Sequence, residues 1–555
     1  GVGGGENDIG TLVIDGGDSS SALDLNGDIT SAGTITLQNF SGINLDASSA
    51  RTITSTGNLN TAVALTLDNG DSLVTLDANN DGDISLGTVA DDGAGGTAAD
   101  LTLDAEGAIT IGALSLNDST DGTLIITTDS DNDGTGEITI GGAITNINDA
   151  TFSGGGTGTN DTLDINNDIT TTAGALVAQN FANVEIDASG ARSLSAAGAF
   201  TMNSQVAAIS VDGGSNALTI DANGDSDVSI GASITGANEN PVTINSEGGI
   251  SIAAVNLYIA GSGGTGLLTL NADNDNDGTT QNIALSGTID VGSLAVSGGS
   301  DSDETISTAS GISITSNKGA IDLKGTGGSA LTTFNLTGDG TTVTVTNLDP
   351  SDSAITLPNV NGEGSAAGNE VSLTLTGTGS ITVANVDLNN GDGATGGSLA
   401  VTLDTDNDST SSLTSGILTL GGFSISGGTD NNEDFSSSGL TTYNASENIV
   451  LNQLGTVTLT GDVVSAGSIT IQNINTKLDL GNNVDLTASS GSITANTGVT
   501  AIDLSGTGTN ILTATGGDIN LAPVTDSANV TELGLIGESI TLAAITLNND
   551  TSTLL

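Results

Sequence analysis

Aspartate and asparagine alternate in five loops of this sequence, and that alternation is what could do chemistry. One loop type reads Asp77-Ala78-Asn79-Asn80-Asp81-Gly82-Asp83 and returns as Asp221-Ala222-Asn223-Gly224-Asp225-Ser226-Asp227. The other reads Asp129-Ser130-Asp131-Asn132-Asp133-Gly134. It returns as Asp273-Asn274-Asp275-Asn276-Asp277-Gly278 and as Asp404-Thr405-Asp406-Asn407-Asp408. Hard oxygens at i, i+2 and i+4 gather around one point, which suits Ca²⁺ and its six to eight oxygen ligands. The candidate metal ligands are therefore Asp77, Asn79, Asp81, Asp83, Asp129, Asp131, Asp133, Asp221, Asn223, Asp225, Asp227, Asp273, Asp275, Asp277, Asp404, Asp406 and Asp408. The spacing looks like the first half of an EF-hand loop. Ile140 stands where the Asp129 loop would need its twelfth-position glutamate, so a neighbouring coil of chain, or water, would have to complete the shell.

A second reading needs no metal: Asp and Asn satisfy turn backbone groups through their own side chains. Internal comparison lends it weight. The counterparts of the Asp77 loop later in the chain are Asp349-Pro350-Ser351-Asp352 and Thr513-Ala514-Thr515-Gly516-Gly517-Asp518, which have lost most of the carboxylates. Both readings stand at this point.

Other chemistry finds little support. The chain has no His and no Cys, so the usual nucleophile and base machinery is missing. Carboxylate-pair hydrolysis needs one acid set apart by its environment, and here acids are everywhere. Lyase chemistry would want a base among Arg51, Arg192, Lys318, Lys324 and Lys477. Arg51 and Arg192 each follow an aspartate, Asp46 and Asp187, at the same short spacing, which predicts a repeated surface ion pair. Gly154-Gly155-Gly156 lacks the following Lys and helix of a phosphate loop and reads as a turn. The expectation is a protein without enzymatic activity.

What positions these loops is a strand repeat. The 555 residues carry 5 Lys+Arg against 66 Asp+Glu, a formal charge of −61. That balance disfavours nucleic acid and anionic membranes as partners, and there is no apolar run long enough to span a bilayer. Aromatics are 2%, too few for a rounded core but enough for a thin one filled by Ile, Leu, Val and Ala. Apolar residues alternate, as in Leu101, Leu103, Ile109 and Ile111, with the period of a half-buried strand. No 3.6-residue stripe is present.

Longer self-similarity sits on top. Gln38-Asn39-Phe40 returns as Gln179-Asn180-Phe181, and the strand around Ile109 and Ile111 returns at Ile250, Ile381 and Ile540. This gives nearly four degenerate long repeats, about 1–145, 146–290, 291–425 and 426–555, along one continuous solenoid. Within each lie shorter strand-and-turn units. At about 22 residues per coil and about 4.8 Å between stacked strands, the chain would make roughly 25 coils in a rod on the order of 120 Å long. The fold expected is an all-β, elongated parallel β-helix, or β-solenoid. The acidic segment Gly427 to Phe435 reads as a longer surface loop. Neither end reads as a polar cap, which points to more chain beyond or to copies docking end to end.

The pattern in Gly379-Ser380-Ile381-Thr382-Val383 and Gly491-Ser492-Ile493-Thr494 resembles the large repetitive β-solenoid surface proteins of bacteria. These are the filamentous-haemagglutinin-like adhesins and related extracellular β-strand-repeat proteins. The resemblance implies a secreted, right-handed parallel β-helix at the cell surface or outside the cell. The secretion domain typical of such adhesins is not in this segment, and the acidity exceeds what the pattern requires. The function expected is a structural filament, matrix fibre or surface layer, built by end-to-end stacking into a homopolymer and stabilised by Ca²⁺. The alternatives are an adhesin stalk, with glycans or cell-surface groups as partners, and, more weakly, a polysaccharide-active β-helix enzyme.

Overall fold

The computed structural model describes the chain apart from residues 1–9, 32, 69–71, 94–97, 118–121, 157–159, 204, 261–263, 274, 276–279, 300–303, 310, 325–330, 338–340, 364–369, 390–395, 408–409, 529, 549–552 and 555. Asp277 and Asp408 of the candidate ligands lie outside the described residues. Among the described residues there is no helix; short strands alternate with turns. The chain divides into two compact units, Gly1–Asp277 and Gly278–Leu555, each an all-β parallel β-solenoid.

In the first unit each strand pairs in parallel with the strand three before it and the strand three after it. One coil is thus three strands and three turns. The inward positions form columns of like residues. One runs Ile35, Leu59, Ile84, Ile109, Ile138, Leu163, Val184, Ile209, Ile234 and Val255, all buried. Each β-branched or Leu side chain packs on its counterpart one coil away, so a core only a few side chains wide closes without large aromatics. Outward positions form polar ladders, for example Asn271 Nδ2 donating to Asn245 Oδ1 at 2.8 Å.

Most coils are longer than the sequence pattern suggests, and their length is uneven. Leu59 lies opposite Ile84, and Ile84 opposite Ile109, at equal spacing along the chain. The coil from Leu101 to Leu124 is shorter, whereas the one from Ile109 to Ile138 is longer because the Asp129 loop bulges from it. Three turns per coil consume the extra chain. Many corners sit on Asn or Asp with positive φ, among them Asn39 (58°), Asn180 (64°) and Asp129 (49°), which these short polar side chains tolerate better than others.

The second unit begins on the same plan and then changes. Ser412–Leu420 pairs with both Ile381–Val383 and Val386–Asp387, so two strands have run together around a corner. Asp434–Thr442, Ile449–Leu459 and Ile469–Leu480 continue this long-strand layer, with a register shift between Leu454 and Thr456. The three-strand plan returns where Ile469–Leu480 meets Ile493–Ala495 and Ile502–Leu504. Through the change the column Ile355, Ile381, Leu413, Phe435, Val457, Leu478 stays in register.

Candidate cation sites

In the first unit the acidic loops occupy two corners of the coil, the Asp77 and Asp129 loops sharing one and the Asp221 and Asp273 loops the next. At the first of these corners, Val74–Ala78, Leu101–Ala105 and Leu124–Thr127 stack on one another, as do Ile84–Leu86, Ile109–Ile111 and Glu137–Ile140. The connections between these two ladders are the Asp77 loop, a tight turn at Glu106, and the Asp129 loop. The separation of the two loop types is thus two coils.

In the Asp77 loop the carboxylates serve the backbone and the neighbouring coil. Asn79 Nδ2 donates to Asp77 Oδ2 at 3.1 Å. Asp83 accepts the Ala108 N–H through Oδ1 at 2.9 Å and Asn58 Nδ2 through Oδ2 at 3.2 Å. Asn80 and Asp81 take successive positive φ values of 56° and 55°, which turns their N–H groups to one side, and both donate to Glu106 Oε2. Such a nest of N–H groups suits an anion. The second copy matches: Asn223 donates to Asp221, Gly224 and Asp225 donate to Glu247 Oε2, and Asp227 accepts the Gly249 N–H at 2.7 Å. Asp225 and Glu247 also lie with Asp275, one carboxylate oxygen of each within 4.8 Å of the others, at a largely exposed position.

The Asp129 loop is built differently. Asp129 is fully buried; its Oδ1 accepts the N–H groups of Asp133 and Gly134 at 3.2 and 3.1 Å, and its Oδ2 meets no donor. Asp131 and Asp133 come within 4.8 Å of it through one carboxylate oxygen each. Burial pushes the Asp129 carboxyl above its ordinary range, and the charge of Asp131 does the same to Asp133. One coil on, Asp161 is buried as well, its oxygens accepting the N–H groups of Gly136 (2.7 Å) and Gly155 (2.8 Å). A side chain at Gly155 would collide with the Asp129 carbonyl, so the glycine run is where one coil's backbone passes close to the other's acid.

Asp273 and Asp404 share the conformation of Asp129, with φ of 47° and 46°, and its complete burial. Among the described residues, the companions of Asp404 come from the next coil. Leu399–Thr402 pairs with Phe423–Ser426, and the chain then turns through Asp430 and Glu433 at the same corner. Asp404, Asp430 and Glu433 place carboxylate oxygens within 4.8 Å of one another, while Asp406 is exposed. Glu433 is 0% exposed; Oε2 accepts the Gly428 N–H at 3.0 Å and Oε1 meets no donor. Burial, reinforced by the charges of Asp430 and Asp404, pushes Glu433 up to about 7. The segment expected as a surface loop between Gly427 and Phe435 is therefore partly core: Glu433 and Phe435 are both buried, because the backbone turns inward here to close the coil.

Sequence reasoning missed Glu106, Asp161, Glu247, Asp430 and Glu433. Glu106-Gly107 and Glu247-Gly248 stand as far apart along the chain as Ile109 and Ile250, which was the signal for the first pair. Asp161 and Glu433 each follow a glycine run closely, Gly154-Gly155-Gly156 and Gly427-Gly428.

The basic residues act as the spacing suggested at two positions. Arg51 pairs with Asp46 at 2.9 Å and Arg192 with Asp187 at 3.9 Å. Lys477 bridges Asp479 (2.8 Å) and Asp503 (3.0 Å), which lie directly opposite on adjacent coils. A shallow groove of about 340 Å³ in the second unit is lined by Asn359, Asn385, Asp387 and Ile417 among others. It holds one carboxylate, and no Lys or Arg lines it.

No family model matches the chain, and neither does any curated protein or solved structure.

Proposed function

We propose that the protein is an extracellular structural element, a filament, matrix fibre or surface-layer subunit formed by end-to-end stacking of β-solenoid chains and stabilised by Ca²⁺. The observation that carries this reading is the in-register coil stack of each unit, whose acidic loops recur two coils apart, the Asp77 and Asp129 loops at one corner and the Asp221 and Asp273 loops at another. A stack of this kind is quasi-one-dimensional: each coil contacts mainly its neighbours, and the architecture provides length and stiffness. A formal charge of −61 would repel itself along such a stack, and divalent cations held at the acidic corners relieve that repulsion. The same features serve an adhesin stalk, which differs in staying monomeric.

Negative-stain imaging of the purified chain in Ca²⁺, and again after EGTA, tests the proposal. Filaments that shorten or melt on chelation support metal-braced polymerisation. Separate rods under both conditions overturn the filament reading in favour of the stalk.

A further inference from the structure

We propose that Asp404, Asp430 and Glu433 form one defined divalent-cation site, with Ca²⁺ the fitting ion, that ties two successive coils of the Gly278–Leu555 unit together. Two of the three residues lie outside the i, i+2, i+4 loop pattern, and the three come from two successive coils. The inference deepens the Ca²⁺ reading above and rests on it only in requiring that the chain take up divalent cations.

Three carboxylates within 4.8 Å of one another would not by themselves make a site, since acidic side chains crowd this surface. Glu433 supplies the independent observation. It is completely buried, its Oε1 has no hydrogen-bond donor, and its Oε2 has one, the Gly428 N–H. A buried carboxylate is normally satisfied by hydrogen bonds or by a cation. Two further oxygens on the same turn, Asn431 Oδ1 and Asn432 Oδ1, are also buried without donors. The turn therefore gathers acceptors and few donors, the opposite of the N–H nest that receives Glu106. The backbone makes room for this: a Cβ at Gly428 would sit 2.9 Å from Asp404 Oδ2 and 2.6 Å from Asn407 Oδ1. An all-oxygen set of carboxylates and amides is hard-cation chemistry. Side chains drawn from two coils fit the flexible, irregular shell of Ca²⁺ better than the strict octahedron of Mg²⁺.

The test uses the full chain stripped of metal, with bound Ca²⁺ counted by equilibrium dialysis at about 0.15 M salt so that diffuse counterions are screened. Thermal unfolding is followed with and without Ca²⁺. Glu433→Gln and Asp430→Asn should each bind one Ca²⁺ fewer per chain and lose part of the Ca²⁺-induced rise in Tm. In EGTA, Glu433→Gln should unfold no lower than the wild type, because a buried charge among like charges has been removed. Asp430 is exposed, so Asp430→Asn carries the test should Glu433→Gln fail to fold. If the wild type binds Ca²⁺ and the variants keep its full stoichiometry, the site is overturned while Ca²⁺ uptake stands. If the wild type takes up neither Ca²⁺ nor Mg²⁺, both readings fall.

Discussion

Asp479 and Asp503, and Asp404 and Glu433, are two pairs of acids brought together by neighbouring coils of the same unit, and they are treated in opposite ways. The first pair lies directly opposite in the ladder and shares Lys477, which donates to both. The second is buried at a corner, where the charge beside it is a third carboxylate, Asp430. Parallel in-register stacking places similar residues on top of one another. That is favourable for Ile and Asn and unfavourable for Asp and Glu. A chain with 5 basic residues and 66 acidic ones cannot give every stacked acid a lysine, and the structure contains other solutions. At Asp349 burial pushes the carboxyl up, but hydrogen bonds from Ser353 and Ser351 outweigh it and hold it below the ordinary value. At Asp161 two backbone N–H groups donate to the carboxylate. Glu433 has one N–H for two oxygens, and that shortfall makes it the candidate for an external cation.

Five substitutions break or sharpen this comparison. The comparison first requires that the strand entered just after Glu433, Asp434–Thr442, be firmly seated, and its anchor is Phe435, buried against Phe423 with ring centroids 5.5 Å apart. Phe435→Ala should destabilise the second unit by about 3–5 kcal/mol, read from urea unfolding. An effect under about 1 kcal/mol would mean the corner is not held by the core.

Gly155→Ala probes the other buried acid pair. Its Cβ would meet the Asp129 backbone, which cannot swing aside as a side chain can, and a loss of about 1–3 kcal/mol is expected. Gly428→Ala, whose nearest neighbours are the side-chain oxygens of Asn407 and Asp404, should cost less by the same measurement. Equal losses would show that the two corners are equally rigid.

Lys477→Met leaves Asp479 and Asp503 stacked without their cation. Solvent screening at a side chain 35% exposed limits the loss to about 1 kcal/mol, and adding Asp503→Asn should recover most of it. Lys477 has its pKa raised by Asp479 and Asp503. Its contribution is therefore complete below the ordinary lysine value and is lost only as the pH rises through the higher folded value. The difference between Lys477→Met and wild type should be flat from pH 6 to 9.

Asp104 gives the smallest effect and the opposite sign. It stacks on Asp77, and its carboxyl is raised by burial first, with Asp77 adding to it and Ser130 opposing. A raised acid holds its proton more tightly when folded, so it opposes folding above its folded pKa and has no effect below the ordinary value of 3.8. Asp104→Asn should stabilise by about 0.5 kcal/mol at neutral pH and by nothing near pH 3. A gain that persists at pH 3 would rule out charge as its cause.

Much of the strand plan was legible in the sequence, because alternation and small apolar residues leave few other ways to build a core. Leu101, Leu103, Ile109 and Ile111 all sit in the buried columns. The Asp129 loop could be read too, since i, i+2, i+4 spacing is local and the structure brings Asp129, Asp131 and Asp133 together. Glu106 left only its repeat spacing as a signal, and Asp161 and Glu433 only a preceding glycine run, because each acts on a loop one coil away. The distance along the chain to that neighbour varies with every bulge: Leu101 meets Leu124, whereas Ile381 must wait for Leu413. Nothing in the sequence marks Glu433 as buried either. It lies among Asp430, Asn431, Asn432 and Asp434, and only its place just before the Phe435 column position draws it inside.

The central claim is that the acid cluster around the buried Glu433 carboxylate takes a metal cation. The most direct measurement is a crystal structure grown in Ca²⁺, with a Tb³⁺ soak to mark sites by anomalous scattering. The account predicts an anomalous peak coordinated by Asp404, Asp430 and Glu433, and none between Asp479 and Asp503. Occupied sites elsewhere, with that cluster empty and Glu433 hydrogen-bonded as a neutral acid, would contradict it.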